Sequence, residues 1–452
     1  MSAPRTLTFH GGAATTTGSM ILMEAAGARV LLDAGLFEGD VATAGAKNRE
    51  LPLDPTRLDA VILSHAGLTY AGRTPQLVHH GYKGPIYATP GTRDLAAVLF
   101  AEAALASLDD DPTSLYDLED VMATHRQMVG QPYHRPIHLR RNLVFEFADA
   151  GHILGSASIE LRTGEGGSHR IIYSGCLGRP GSTLFRDPEP LPGEVDTLII
   201  GGPFAYARHP MFADAQLLLA DLVTRVHARG GHIIIPASTV GPVHEFARTL
   251  QQLHRRGVIP AMPIWLDTPT AVDPGTVLRL HPESLRSPAR AYAGEGGAFD
   301  QSLLRFVDND DDRAALDRLA EPAIIIAPSE LGDSGRAAHH LRRCLPDPRH
   351  AVILLSFPEE GSVSERLHAG DKAVSIDGHQ TDVRAEVTPM PAFSGHADCE
   401  ELRTWVRSLQ GPVKRAFVVH GDDLAVAMIV TVLREEGVRD VIVPREGEAF
   451  PF

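Results

Sequence analysis

Short apolar runs separated by glycine-rich turns fill the first two hundred positions. SMILMEAAG (19–27) and ARVLLDAGL (28–36) read as two strands around a turn at Gly27. DAVILSHAG, GPIYATP, NLVFEFADAGH, SIELRTG and HRIIYSGCLG each read as a strand that ends in a loop carrying polar residues. LYDLEDVMATHRQM (115–128) has helical spacing and no breaker. Strands that feed polar loops are a common way to build a site on an α/β scaffold.

From about residue 196 the pattern changes to alternating strand and helix. DTLIIGG is strand-like, and DAQLLLADLVTRVHARG (214–230) is an amphipathic helix ended by glycine. HIIIPAS, PIWLD, PAIIIAPS and HAVILLSF read as buried strands; VHEFARTLQQLHRRG and GRAAHHLRRCL read as helices between them. This βαβ patterning predicts a mostly parallel sheet. Residues 271–321 are less regular, and from about 383 the first style returns, with CEELRTWVRSL as a helix and KRAFVVHGDD as a strand end.

Composition narrows the picture in three ways. A chain of 452 residues holds two or three domains. There is no apolar run of the roughly eighteen residues that span a bilayer, and MSAPRTLTFHGG has no signal-peptide core, so a cytoplasmic protein with no membrane partner is expected. The cysteines are Cys176, Cys344 and Cys399, in no CxxC spacing, which fits a reducing compartment and argues against a disulfide framework or a zinc ribbon. A net charge of −15 opposes broad, charge-driven nucleic-acid binding but leaves room for a local basic groove.

The candidate chemistry begins at LSHAGLTYAGR (63–73), where His65 follows a strand and no good zinc ligand follows it. FHGGAATTTGSMILMEAAGARVLLDAGLFEG, ADAGHILGSASIEL, IIYSGCLGRPGSTLFRDPEPL, PAFSGHADCEEL and VVHGDD, taken in order, resemble the metallo-β-lactamase superfamily. More narrowly they resemble its β-CASP branch, the RNA-processing nucleases of the RNase J and cleavage-and-polyadenylation type. The resemblance implies an α/β fold: an αββα sandwich interrupted by an inserted β-CASP domain. It places the sandwich at 1–206, the insertion at 207–360 and the return at 361–452. It also implies two zinc ions and hydrolysis of RNA phosphodiesters in active members.

Mapped one at a time onto the family pattern H-x-H-x-D-H, His65 matches the first histidine, while Gly67, Thr69 and Tyr70 stand where the other ligands belong. His152 and His420 match their counterparts, and Cys176 replaces the bridging aspartate. A catalytic zinc takes three protein ligands and a water. The second site, left with His420, is therefore expected to be empty. At the first site two readings stand: His65, His152 and Cys176 as a single zinc site, or Cys176 as a small buried residue in the aspartate's space. Gly201 stands where the inserted domain's first carboxylate belongs, and Pro242 where an arginine is expected.

Asp33 is retained as a vestigial buried acceptor that shapes the ligand loop. Ser394, His396 and Asp398 of FSGHAD are also retained. Ser394 and His396 are the candidates for holding an RNA phosphate; His396, a vestigial catalytic position, otherwise merely bridges the two domains. Glu330 and Asp333 place extra carboxylates in a segment that relatives use near substrate. The pairs His79–His80 and His339–His340 read as features of helix surfaces. The expected function is a catalytically inactive, RNA-binding or partner-binding nuclease-like protein, with no cofactor. Its partner is RNA, an active β-CASP relative, or a second copy. The alternative is a single-zinc RNA phosphodiesterase built on His65, His152 and Cys176.

Overall fold

The computed structural model describes the chain except residues 1–4, 40, 107–113, 207, 238–240, 268–273, 288–302, 308, 330–331, 334 and 356–360. It separates into two compact units, one of Met1–Gly181, Phe185–Arg208 and His396–Phe452, the other of Ser182–Leu184 and His209–Gly395.

The first unit holds two seven-stranded sheets. One runs, edge to edge, Ala449–Pro451, Thr6–Gly11, Met20–Ala25, Ala28–Leu32, Ala60–Ile62, Ile86–Ala88 and Met128–Gly130. The other runs Asp440–Ile442, Val413–Val419, Val195–Gly201, His169–Tyr173, Ala157–Thr163, Leu143–Asp149 and Ile137–Arg140. The period-two alternation of a strand decides which side each residue serves. Ile171, Ile199 and Phe417 turn inward to meet Phe9, Ile21 and Val30 of the facing sheet. Their neighbours Ile172, Leu198, Ile200 and Val418 turn outward against Leu402 and Trp405 of helix Cys399–Ser408 and Leu433 of helix Asp423–Glu435. Burial on both faces is why these strands read as continuous apolar runs. Helix Pro90–Ala106 packs beside Met128–Gly130 on the other sheet, so the layers are αββα.

The second unit is built on a six-stranded, all-parallel sheet. Its order is Leu304–Phe306, Ile264–Leu266, Ile324–Ala327, Ile233–Pro236, Ala351–Leu354 and Glu386–Pro389. Ile234, Ile325 and Val352 form its core with Leu341 and Leu345. The short hairpin Ala373–Ile376 and His379–Asp382 turns at Asp377-Gly378, both at positive φ (49° and 73°), as a tight hairpin turn requires. Before this unit's main run, the stretch Ser182–Leu184 is held by the buried Glu245. Its carboxylate accepts from the Ser182 hydroxyl (2.6 Å), the Thr183 N–H (2.8 Å) and the Leu184 N–H (3.1 Å).

The chain enters the second unit for good after Arg208 and leaves it after Gly395. The sequence division put that return at residue 361. The later passage has a clear cause: Glu386–Pro389 pairs in parallel with Ala351–Leu354 and completes the second unit's sheet.

Candidate metal site

The first unit's loops meet around Asp33, which follows strand Ala28–Leu32 with φ at 61°, a left-handed conformation uncommon for a residue with a side chain. Its carboxylate accepts from the Ser64 N–H (2.7 Å), the Ser64 hydroxyl (2.9 Å) and the Tyr173 hydroxyl (2.7 Å), with the Ser19 hydroxyl at 3.3 Å. Burial pushes the Asp33 carboxyl up to about 7, against the pull of these hydrogen bonds. Ser64 passes the order on, because its hydroxyl lies 3.1 Å from His65 Nδ1. Asp33 therefore fixes the histidine's loop through Ser64.

His152 sits in a turn closed by Ser156, whose hydroxyl oxygen accepts from the His152 N–H (2.9 Å) and the Ile153 N–H (3.2 Å). Cys176 lies just beyond strand His169–Tyr173. One donor atom each from His65, His152 and Cys176 lies within 4.8 Å of the other two, and all three residues are buried. Burial, reinforced by His152 and His420, holds the His65 imidazole well below its usual range, so it is neutral, the form that binds metals. Burial pushes the Cys176 thiol up to about 12, so it keeps its proton.

Tyr70 touches three of these residues. The Cys176 thiol donates to its hydroxyl oxygen at 2.9 Å. Its ring lies 4.2 Å from the His65 ring and stacks on His420 at 4.5 Å and 29°. On its other side His420 Nε2 is 3.0 Å from the Ser19 hydroxyl. A side chain at Gly67 would start 3.0 Å from His65 Nε2, so the position points into the site but supplies nothing to it. At Gly201 a Cβ would meet His420 Cβ and the Val419 carbonyl at 2.9 Å, so the expected carboxylate cannot be restored without moving His420.

His420 is tied to Ser19 and covered by the Tyr70 ring. The donor chemistry of His65, His152 and Cys176 does fit one zinc-like ion, which would replace the thiol proton and the bond to Tyr70.

The other positions singled out in the sequence have separate places. His396 is in ring contact with His152 at 4.4 Å and with Phe204 at 5.0 Å. Ser394 is buried in the second unit, its N–H donating to the Pro391 carbonyl. Asp398 caps helix Cys399–Ser408 in a capping box with Glu401. Asp333 accepts from the Val363 N–H (2.7 Å) at the start of helix Val363–His368, so its carboxylate is engaged in the fold; Glu330 lies outside the described residues. His79 pairs with Asp120 at 2.8 Å on the surface. His339–His340 needs correction: His340 is 2% exposed, and both histidines meet carboxylates, Asp317 and Asp267. Ser19, Tyr70 and Tyr173 are central residues that ligand spacing overlooks, since none is a ligand type. The one clue was Tyr70's position in the H-x-H-x-D-H frame.

Three family models match in order: a metallo-β-lactamase superfamily domain over 22–175, a β-CASP domain over 243–367, and a Zn-dependent metallo-hydrolase RNA specificity domain over 380–444. The chain is 32% identical over 446 residues to Ribonuclease TTHA0252 of Thermus thermophilus, covering 98% of each. It is 28% identical over 431 residues to the transcription termination factor FttA of Methanosarcina mazei, covering 93% of this chain and 67% of that one. A crystal structure of a protein of unknown function from Enterococcus faecalis V583 aligns over 100% of both chains with a TM-score of 0.55 at 17% identity, a likeness of fold alone. Among the described residues no helix is long and apolar enough to cross a membrane. With the ordered loops, the layered fold and a full-length ribonuclease relative together, the chain belongs to the β-CASP branch of the metallo-β-lactamase superfamily.

Proposed function

We propose that this chain is a β-CASP pseudonuclease, a nuclease-like scaffold that binds RNA without cleaving it. The observation that carries this reading is Tyr70. Its ring stacks on His420 and its hydroxyl meets Cys176, the positions that the family resemblance assigns to the second ion and the bridging ligand of a two-metal mechanism. Affinity for RNA is supported by the RNA specificity domain model over 380–444 and by the ribonuclease relative. The test is to incubate purified protein with single-stranded RNA, with and without added zinc or manganese, and to follow both cleavage and binding. Binding with intact RNA is expected. Robust cleavage that disappears in a His152→Ala protein overturns the proposal, and so does an absence of RNA binding at low salt.

A second reading rests on the buried His65, His152 and Cys176 group: a single-metal hydrolase of phosphodiesters. A bound ion would supply Lewis acidity and activated water. The two imidazoles and the thiol would hold it, with Ser64 orienting His65 through Nδ1. Elemental analysis of the wild type beside Cys176→Ser decides it. This reading predicts that Cys176→Ser holds about one zinc fewer per chain than the wild type. An equal content in the two removes it.

A further inference from the structure

Helix Gly335–Cys344 carries two adjacent histidines that the site above does not use. His340 is buried, and its Nε2 lies 2.8 Å from Oδ2 of Asp267. Asp267 is itself buried and also meets Arg336 at 2.7 Å and Arg313 at 3.6 Å. With Nε2 engaged, Nδ1 is the nitrogen left to ligate. Next to it, His339 Nε2 lies 2.9 and 3.1 Å from the two carboxylate oxygens of Asp317. One donor atom each from Asp317, His339 and His340 lies within 4.8 Å of the other two. Asp317 and His340 also line a cleft of about 310 Å³, with His232, Arg343, Cys344 and His350 around it. That volume holds an ion together with several waters, at roughly 30 Å³ for each water.

We propose that Asp317, His339 and His340 form a binding site for one divalent transition-metal ion of the zinc class, with Asp267 as the outer carboxylate that orients His340. Two imidazoles and a carboxylate are a donor set that zinc and its neighbours accept while keeping open positions for water. A ligating histidine whose other nitrogen is bonded to a carboxylate has its tautomer and direction fixed in advance. Asp317 ends helix Asp310–Asp317, and the negative end of a helix dipole favours a cation there. Arg343 is the competitor: its Nη2 donates to the Asp317 carbonyl and its Nε lies 3.4 Å from Oδ1. Its side chain is half exposed, so it can be displaced toward solvent by an ion. An ion here would tie helix Asp310–Asp317 to helix Gly335–Cys344. The site belongs to the second unit and is independent of the RNA reading above.

The test uses full-length Cys176→Ser protein, stripped with a chelator and titrated with cobalt(II), then with zinc(II). The substitution silences the thiolate of the other candidate site. The expected result is one equivalent of cobalt giving weak visible bands without the near-ultraviolet thiolate absorption, displaced by zinc. Asp317→Asn and His339→Ala change partly exposed residues, and each is expected to lower affinity by about tenfold or more. Zinc should raise the melting temperature of the parent and not of these variants, whose metal-free melting should match it. The His152→Ala background serves if Cys176→Ser folds poorly. No bound cobalt overturns the proposal. So does equal affinity in the variants, or a thiolate band in the Cys176→Ser background, which would place the ion on another cysteine.

Discussion

Replacing Tyr70 with alanine removes a ring that both His65 and His420 touch, and a hydroxyl that meets the Cys176 thiol. Tyr70 is buried, so the cost should resemble other large-to-alanine changes, about 3–5 kcal/mol in denaturant unfolding. A cost below about 1 kcal/mol would mean that the ring is not packed as described. His420 gives a second residue-level test. Burial lowers its imidazole to about 4, so the folded state holds it neutral while the unfolded chain takes up a proton below pH 6.5. Its contribution is therefore present at neutral pH and lost as pH falls from 6.5 through 4. In chelated protein the stability of wild type relative to His420→Gln should drop by roughly 3 kcal/mol over that window, at about 1.4 kcal/mol per unit. A difference that stays flat across it removes the burial argument. The positions of His65, His152 and His420 just past strands were legible in the sequence, because each follows a recognisable apolar run. Ser19 and Tyr173 were not, since a hydroxyl's role depends on which buried partner the fold brings to it.

At the level of elements, local signals carried the strands and helices well and the pairing poorly. VHEFARTLQQLHRRG and CEELRTWVRSL form helices Pro242–Arg255 and Cys399–Ser408 because their apolar residues recur on one face. Strand Glu386–Pro389 looked like part of the first unit's style, yet it pairs inside the second unit. Register and partner depend on residues far away in sequence, which no local period encodes. The capping box of helix Cys399–Ser408 gives an element-level prediction. Asp398 accepts from the Glu400 and Glu401 N–H groups, both at 2.9 Å, so its role lies in the helix start. Asp398→Ala should cost about 1 kcal/mol in thermal unfolding and leave RNA affinity within about twofold. A large loss of RNA affinity at unchanged stability would instead make Asp398 a contact residue.

For the whole molecule, charge is the governing quantity. On the proposed RNA-binding reading, a net charge of −15 means that RNA must find a local patch while the rest of the surface repels it. Few phosphates should then be neutralised, and raising salt from 50 to 200 mM should weaken binding by less than about a hundredfold. A slope typical of six or more phosphate contacts would rule out the local-patch picture. The balance of charge was readable from composition alone. The grouping of Asp317, Asp267, His339 and His340 was not, because their positions span seventy-odd residues that only the parallel sheet gathers.

Strand Val195–Gly201 lies between His169–Tyr173, made just before it, and Val413–Val419, made long after. On a ribosome moving at about 5–20 residues per second, the roughly 200 residues between them take on the order of ten to forty seconds to appear. Throughout that interval a buried parallel strand stands as an open edge, the kind that recruits other chains. A chain stalled before residue 413 should therefore expose that edge to proteases and chaperones, even after the second unit's sheet has closed. Fidelity of translation through the second unit thus becomes a condition for the first unit's solubility.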